Sequence, residues 1–262
     1  MIFNYDLAKQ NCSFDFVVFL ALCEQSRIQN AASSFYVYIS PDVAIRYKEA
    51  NFDWKWRIAH LLFPLALMMP NCRGVGIGLE GSNLSYNLLE LDVNIYRSGK
   101  FGYIRAGEFA LENSPTYDNV ITFRERSLHP LRNSNKKAWW SAFNGSNDLF
   151  IQDNETELSI ENINVELRMA IYQKAGMNWL VSNGCGALCI LNPNIKYKIF
   201  KIETPEYRPT SLSHIRHAQG TSRGDSPRIA NEGQKYIWQE DTYENIKREK
   251  EAEWEPIWPA RI

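Results

Sequence analysis

No apolar run in this chain reaches the roughly 20 residues that a membrane-spanning helix needs. The longest, Phe16 to Cys23 and Leu61 to Met69, stop well short, and no transmembrane segment is expected. The five cysteines are an odd number and form no Cys-x-x-Cys pair, which excludes a disulfide scaffold and the common zinc modules. Several lie in apolar runs, where a thiol behaves as a small buried hydrophobe. The four histidines, His60, His129, His214 and His217, show no metal-ligand spacing. No excess of one charge exists either: 29 basic side chains against 30 acidic ones give −1. Any anion recognition must therefore be local, and no nucleic-acid partner is expected. No P-loop Gly-Lys-Ser/Thr occurs, so no kinase is expected, and a dinucleotide enzyme is likewise not expected, on the reading that the chain carries no Gly-x-Gly-x-x-Gly fingerprint. Met1 to Asp6 carries no basic leader pattern, and the expectation is a cytoplasmic protein.

What is present is an ordinary globular composition over 262 residues, 45% hydrophobic and 13% aromatic. The first half alternates extended and helical patterns. Ile2 to Leu7, Phe35 to Ser40 and Arg73 to Leu79 read as strands, and Phe14 to Gln29 reads as a mostly buried helix entered through Ser13 and Asp15. Ile58 to Met69 reads as a second helix, kinked at Pro64. Residues 80 to 116 are the least patterned, and a domain boundary is placed there.

In the second half, strands are expected at Asn119–Phe123, Leu149–Gln152, Trp179–Ser182 and Tyr197–Ile202. Helices are expected at Asn133–Phe143, capped by Asn133 or Ser134, and at Val165–Ala175 and Gly184–Leu191. Such alternation implies right-handed crossovers and parallel sheets. The fold class is therefore α/β, with two small Rossmann-like, doubly wound units over residues 1–112 and 113–205. Residues 206–262 are expected to form a basic loop and a C-terminal helix that packs back on the body.

Three loops should share the carboxyl edge of the second sheet. Ser182-Asn183-Gly184-Cys185-Gly186 lets a ligand approach backbone N–H groups, or is simply a tight strand-to-helix turn. Thr122-Phe123-Arg124-Glu125-Arg126 and Arg132-Asn133-Ser134-Asn135 bring three guanidinium groups and three small polar caps around one loop. Guanidinium forks match phosphate oxygens bidentately, whereas the plainer alternative is a solvated loop with Glu125 paired to an arginine. The third loop holds Glu155, a candidate hydroxyl acceptor or a helix cap. Arg168 sits within an amphipathic helix, either on the surface or facing the pocket. In the first unit Asp6 and Asp15 flank the loop after the first strand, each a candidate general base or a turn or helix cap.

The residues Ile121-Thr122-Phe123-Arg124-Glu125, Arg132-Asn133-Ser134-Asn135 with Trp139, Leu167 to Tyr172, Ser182-Asn183-Gly184, Gly233-Gln234 and Trp238 to Asp241 carry a resemblance. So do Ser13-Phe14-Asp15-Phe16 and Glu24. Along most of its length the chain resembles a family of bacterial proteins encoded with surface-polysaccharide genes. More distantly, its second half is similar to the nucleotide-sugar domain of heptosyltransferase-like GT-B glycosyltransferases. The resemblance implies a metal-independent transfer of sugar from a nucleotide-sugar donor to a glycan acceptor, with no cofactor. The donor would lie on the second unit, held by Arg124, Arg126, Arg132, Asn133, Asn135, Glu155, Arg168, Asn183 and Gly184. The acceptor would lie on the first, with Asp15 or Asp6 as base. Cys185 departs from the related pattern, where a proline is usual. The alternative is a non-catalytic relative that binds a glycan or partner protein through the same cleft.

Overall fold

The computed structural model describes residues 1–41, 54–84, 87–127, 129–154, 164–204 and 206–252. Two parallel sheets organise them. The first has strands β1 (Ile2–Asp6), β2 (Phe35–Ser40), β3 (Cys72–Ile77) and β4 (Ser82–Asn83), in the order β3-β2-β1-β4. The second has β5 (Asn119–Glu125), β6 (Asp148–Asn154), β7 (Met177–Val181), β8 (Tyr197–Phe200) and β9 (Gln234–Ile237), in the order β6-β5-β7-β8-β9. All recorded pairings are parallel, so both units are Rossmann-like α/β layers.

Helix α1 (Asp15–Gln29) explains why its sequence is apolar nearly all round. Phe16, Val17, Phe19, Leu20, Ala21, Leu22 and Cys23 are all buried. One side of the helix lies on the first sheet, against Tyr5, and the other meets the second unit. A helix hydrophobic on every side is stable only when covered on every side. Glu24, fully buried within it, accepts hydrogen bonds from Arg27 (2.7 and 2.8 Å), Asn71 (2.9 Å) and the Gly102 N–H (2.8 Å).

The connection from β2 to β3 runs through α2 (Trp54–Arg57), a π turn at Ile58–Leu62 and α3 (Phe63–Leu67). The expected irregularity at Pro64 is thus absorbed one turn earlier. The π turn widens the helix ahead of the proline, which sits at the start of α3, where its missing N–H costs least. Contrary to the expectation, a glycine fingerprint spelling, Gly76-x-Gly78-x-x-Gly81, does occur at the end of β3. It leads directly into β4 with no helix after it, so it lacks the helix start that a dinucleotide pyrophosphate needs.

Residues 88–114, expected to be poorly patterned, hold α4 (Val93–Arg97) and α5 (Glu108–Asn113). In the second unit come α6 (Lys136–Ala142), α7 (Val165–Lys174), α8 (Gly186–Ile190), α9 (Leu212–Gln219) and α10 (Tyr243–Glu251). The segment before β5 is gripped by the second unit. Gln173 accepts from the Ala106 N–H (2.7 Å), Glu166 from that of Gly107 (3.0 Å), and Asn192 donates to the Ile104 carbonyl (2.8 Å).

Side chains of β5 alternate between two cores, as a doubly wound sheet requires. Ile121 and Phe123 join Trp139 of α6 and Ile246 of α10. Val120 joins Met169 and Tyr172 of α7, Leu188 of α8 and the aromatic core of the first unit. One apolar interior therefore runs through both units. Among the described residues no helix is long and apolar enough to cross a membrane.

Three elements differ from expectation. Strand β9 lies in the stretch expected to be a basic loop and a C-terminal helix, and its buried Gln234 donates to the carbonyls of Asn192 (2.8 Å) and Ile195 (2.9 Å). Helix α6 starts at Lys136 rather than Asn133, and its cap is Asn135, not Asn133 or Ser134, because Asn133 and Ser134 are used by the preceding loop. Helix α8 starts two residues after Gly184.

Candidate functional site

The strand order of the second sheet makes one position special. Chain order gives β6 on one side of β5 and β7 on the other, so the connections leave in opposite directions between β5 and β7. Ligands of open parallel sheets settle in the crevice that opens at the carboxyl ends of such a pair. Here that crevice is bounded by the loop after β5, residues 126–135, and by Ser182-Asn183-Gly184 after β7.

Arg132 joins the two loops. Its Nη2 donates to the Ser182 carbonyl at 2.9 Å, and its guanidinium lies 4.6 Å from the centre of the Tyr207 ring. His129 packs on that ring with centroids 4.0 Å apart and adopts a left-handed backbone (φ 57) to do so. Burial pushes the Arg132 pKa down, while Tyr207 and the carboxylate of Asp15 oppose the shift. Its Nε is buried and has no hydrogen-bond partner among the described residues.

Asn183 has the same character. Its Oδ1 accepts from the Gly186 N–H (3.1 Å) and from Cys185 Sγ (3.1 Å), while its buried Nδ2 has no partner among the described residues. A buried donor left unpaired costs about 1–3 kcal/mol. Two of them beside one switch point form a place where an acceptor would be favourable.

The remaining cations are used differently. Arg124 is buried, and its Nη1 donates to the His129 carbonyl (3.1 Å) and to Asn133 Oδ1. Asn133 also exchanges hydrogen bonds with the backbone of Arg126, accepting at 3.0 Å and donating at 2.9 Å. Arg124 and Asn133 thus brace the loop that carries Arg132. Arg126 is half-buried in the same loop. Asn135 caps α6, and its own N–H is held by the buried Asp241 (2.7 Å). Arg168 is buried in α7, close enough to Tyr172 and Cys189 to act on both electrostatically, and belongs to the interior rather than the surface. Glu155 lies outside the described residues.

Across the crevice stands the first unit. Phe14, immediately before α1, packs on Gly184, where a Cβ would come within 3.3 Å of its ring. The absence of a side chain at Gly184 therefore permits the two loops to meet. Asp15 accepts from Ser13 Oγ (3.0 Å), and its negative charge acts on Arg132. Asp6 does not share this position. Its carboxylate accepts from the Ala8 N–H (3.0 Å) and pairs with Lys9 (3.2 Å) inside its own turn.

Sequence reasoning missed His129, Tyr207 and Lys201. Lys201, at the carboxyl end of β8, donates to the Asn133 carbonyl (2.9 Å) and pairs with Asp241 (3.0 Å) and Glu240 (3.2 Å). Its place after a strand of the same sheet was the available signal, since the edge rule applies to β8 as it does to β5 and β7. Tyr207 and His129 carried none, because stacking between distant loops leaves no spacing in sequence. Among the described residues no three His, Cys, Asp or Glu side chains cluster as a metal site. No family model matches the chain, and neither a curated protein nor a solved structure matches it.

Proposed function

We propose that this chain binds the diphosphate of a nucleotide-sugar at the β5/β7 switch point and transfers the sugar to a glycan hydroxyl presented from the first unit, in the manner of a GT-B glycosyltransferase. The observation that carries the reading is the pair of buried donors without partners, Arg132 Nε and Asn183 Nδ2, at that point of the sheet. Both are suited to an anionic oxygen, and Arg132 supplies the charge that a departing diphosphate requires. Asp15, whose charge acts on Arg132 from the other unit, is the base in this reading. The acceptor oxygen bonds to the anomeric carbon, the bond from that carbon to the diphosphate breaks, and the acceptor proton passes to Asp15. Asp6, held by Lys9 and its own turn, has no comparable position.

A second reading, binding of a glycan or nucleotide without turnover, is favoured by one feature. Asp15 already accepts from Ser13 and lies in the first turn of α1, where a carboxylate is stabilising with no chemistry at all. Calorimetry against UDP, GDP, ADP and CMP tests the shared part. At least one gives saturable heat, lost in Arg132→Met; absence of heat from all four refutes both nucleotide readings. Loss of complementation of a glycan-deficient host by a folded Asp15→Asn variant selects turnover over binding alone.

A further inference from the structure

Behind the Asn183 turn lies a line of buried polar groups that the ligand reading does not use. The hydroxyls of Thr122, on β5, and Tyr172, on α7, are 2.8 Å apart. Tyr172 Oη donates to Cys185 Sγ at 3.6 Å, and Cys185 Sγ donates to Asn183 Oδ1 at 3.1 Å. Tyr172 and Cys185 are fully buried, and Thr122 is 1% exposed. Each of these groups has a single proton. With Tyr172 donating to the thiol, Thr122 must donate to Tyr172, so the chain has one direction and ends on the amide oxygen of Asn183. Burial pushes the Tyr172 pKa well up, so its phenol stays protonated throughout the neutral range.

The direction matters because an amide has two ends. With the Gly186 N–H and the thiol both donating to Oδ1, the flipped amide would set NH₂ against two donors. We infer that Cys185, backed by Tyr172 and Thr122, is a positioning residue that holds the Asn183 amide with its nitrogen turned to the ligand. The inference rests on the reading that Asn183 Nδ2 meets the diphosphate. It also gives a use to the residue at which the chain departs from the related pattern. The line starts on β5 and ends after β7, so it sets the amide relative to both strands of the switch point.

The test uses the full chain and the tightest binder among UDP, GDP, ADP and CMP. Cys185→Ala and Tyr172→Phe each weaken binding about three- to tenfold, the share of one hydrogen bond. Cys185→Ser, which keeps a donor, restores affinity to within about twofold. Adding Cys185→Ala to Asn183→Ala weakens binding no further, because the thiol acts only through the amide. Full affinity in Cys185→Ala, or an additive loss on top of Asn183→Ala, overturns the inference.

A second readout needs no ligand. In nitrogen-15 spectra of the ligand-free chain the two Nδ2 protons of Asn183 give separate, sharp resonances, which broaden in Cys185→Ala and return in Cys185→Ser. Unchanged resonances in Cys185→Ala overturn the positioning role. If no nucleotide gives heat, the diphosphate reading fails and these spectra alone decide whether the thiol orients the amide.

Discussion

Replacing Arg132 by methionine separates binding from stability. Methionine keeps an apolar stem of similar length and removes the charge. What the folded chain loses is the bond to the Ser182 carbonyl at 2.9 Å and the guanidinium contact with the Tyr207 ring at 4.6 Å. Together these contribute about 2–4 kcal/mol. What it gains is relief of a partly desolvated cation and of an Nε that is buried without a partner, again about 2–4 kcal/mol. The expected change in unfolding free energy in urea is within about 1 kcal/mol of zero, since the two sides offset. Binding behaves otherwise. A charge-assisted hydrogen bond of about 1.5–3 kcal/mol is lost, so affinity for the nucleoside diphosphate falls about 10- to 100-fold by calorimetry. Glu24→Gln is the contrast. It weakens the pair between the fully buried Glu24 and the half-buried Arg27 and costs about 1–3 kcal/mol while leaving affinity unchanged in the folded fraction. If Arg132→Met instead destabilises the chain by about 3 kcal/mol or more and still binds as the parent does, Arg132 is a structural residue and the site is misassigned.

Asp15→Asn removes the negative charge that acts on Arg132, so it tightens diphosphate binding severalfold while abolishing transfer, read by calorimetry and by release of nucleoside diphosphate. Weaker binding with transfer intact would remove Asp15 as the base. Asp241→Ala strips the acceptor from Trp139 Nε1 (2.7 Å), from the Asn135 N–H (2.7 Å) and from Lys201, and costs about 3–5 kcal/mol in urea unfolding. A loss below about 1 kcal/mol would show that the α6 start is anchored otherwise. Alkaline pH destabilises the chain. Burial pushes Cys12 and Cys72 up to about 11 and raises Cys23, Cys189, Tyr96, Tyr172, Tyr197 and Tyr236. These groups lose protons first in the unfolded chain, so their stabilisation is whole below about pH 8.5 and falls above it. The slope is about 1.4 kcal/mol per pH unit for each titrating group, and Lys198, whose pKa burial lowers, opposes it with one group only. Urea midpoints that stay level from pH 8 to pH 10.5 would contradict this packing.

How much of this was legible follows from where each piece of information resides. Strands such as Phe35–Ser40 and Asn119–Glu125 announce themselves, because a strand buried in a parallel sheet must be apolar or β-branched along its own length. Strand β9 does not, since Gln234 is buried by pairing with carbonyls 42 and 39 residues away, and no local pattern records that. The two-residue β4 is below the length at which periodicity exists. The loops bearing Arg132 and Asn183 were legible, because the carboxyl-edge rule needs only the order of elements along the chain. The division of labour within those loops was not. Asn133 and Asn135 are the same residue type two positions apart, yet one braces Arg124 and the other caps α6. What separates them is Asp241, more than a hundred residues away, which takes the Asn135 N–H and so decides where the helix begins. The charges at the crevice are thus chosen by partners that the local sequence does not contain. For that reason three arginines that read alike resolve into one facing the crevice, one bracing its loop and one half-buried beside them.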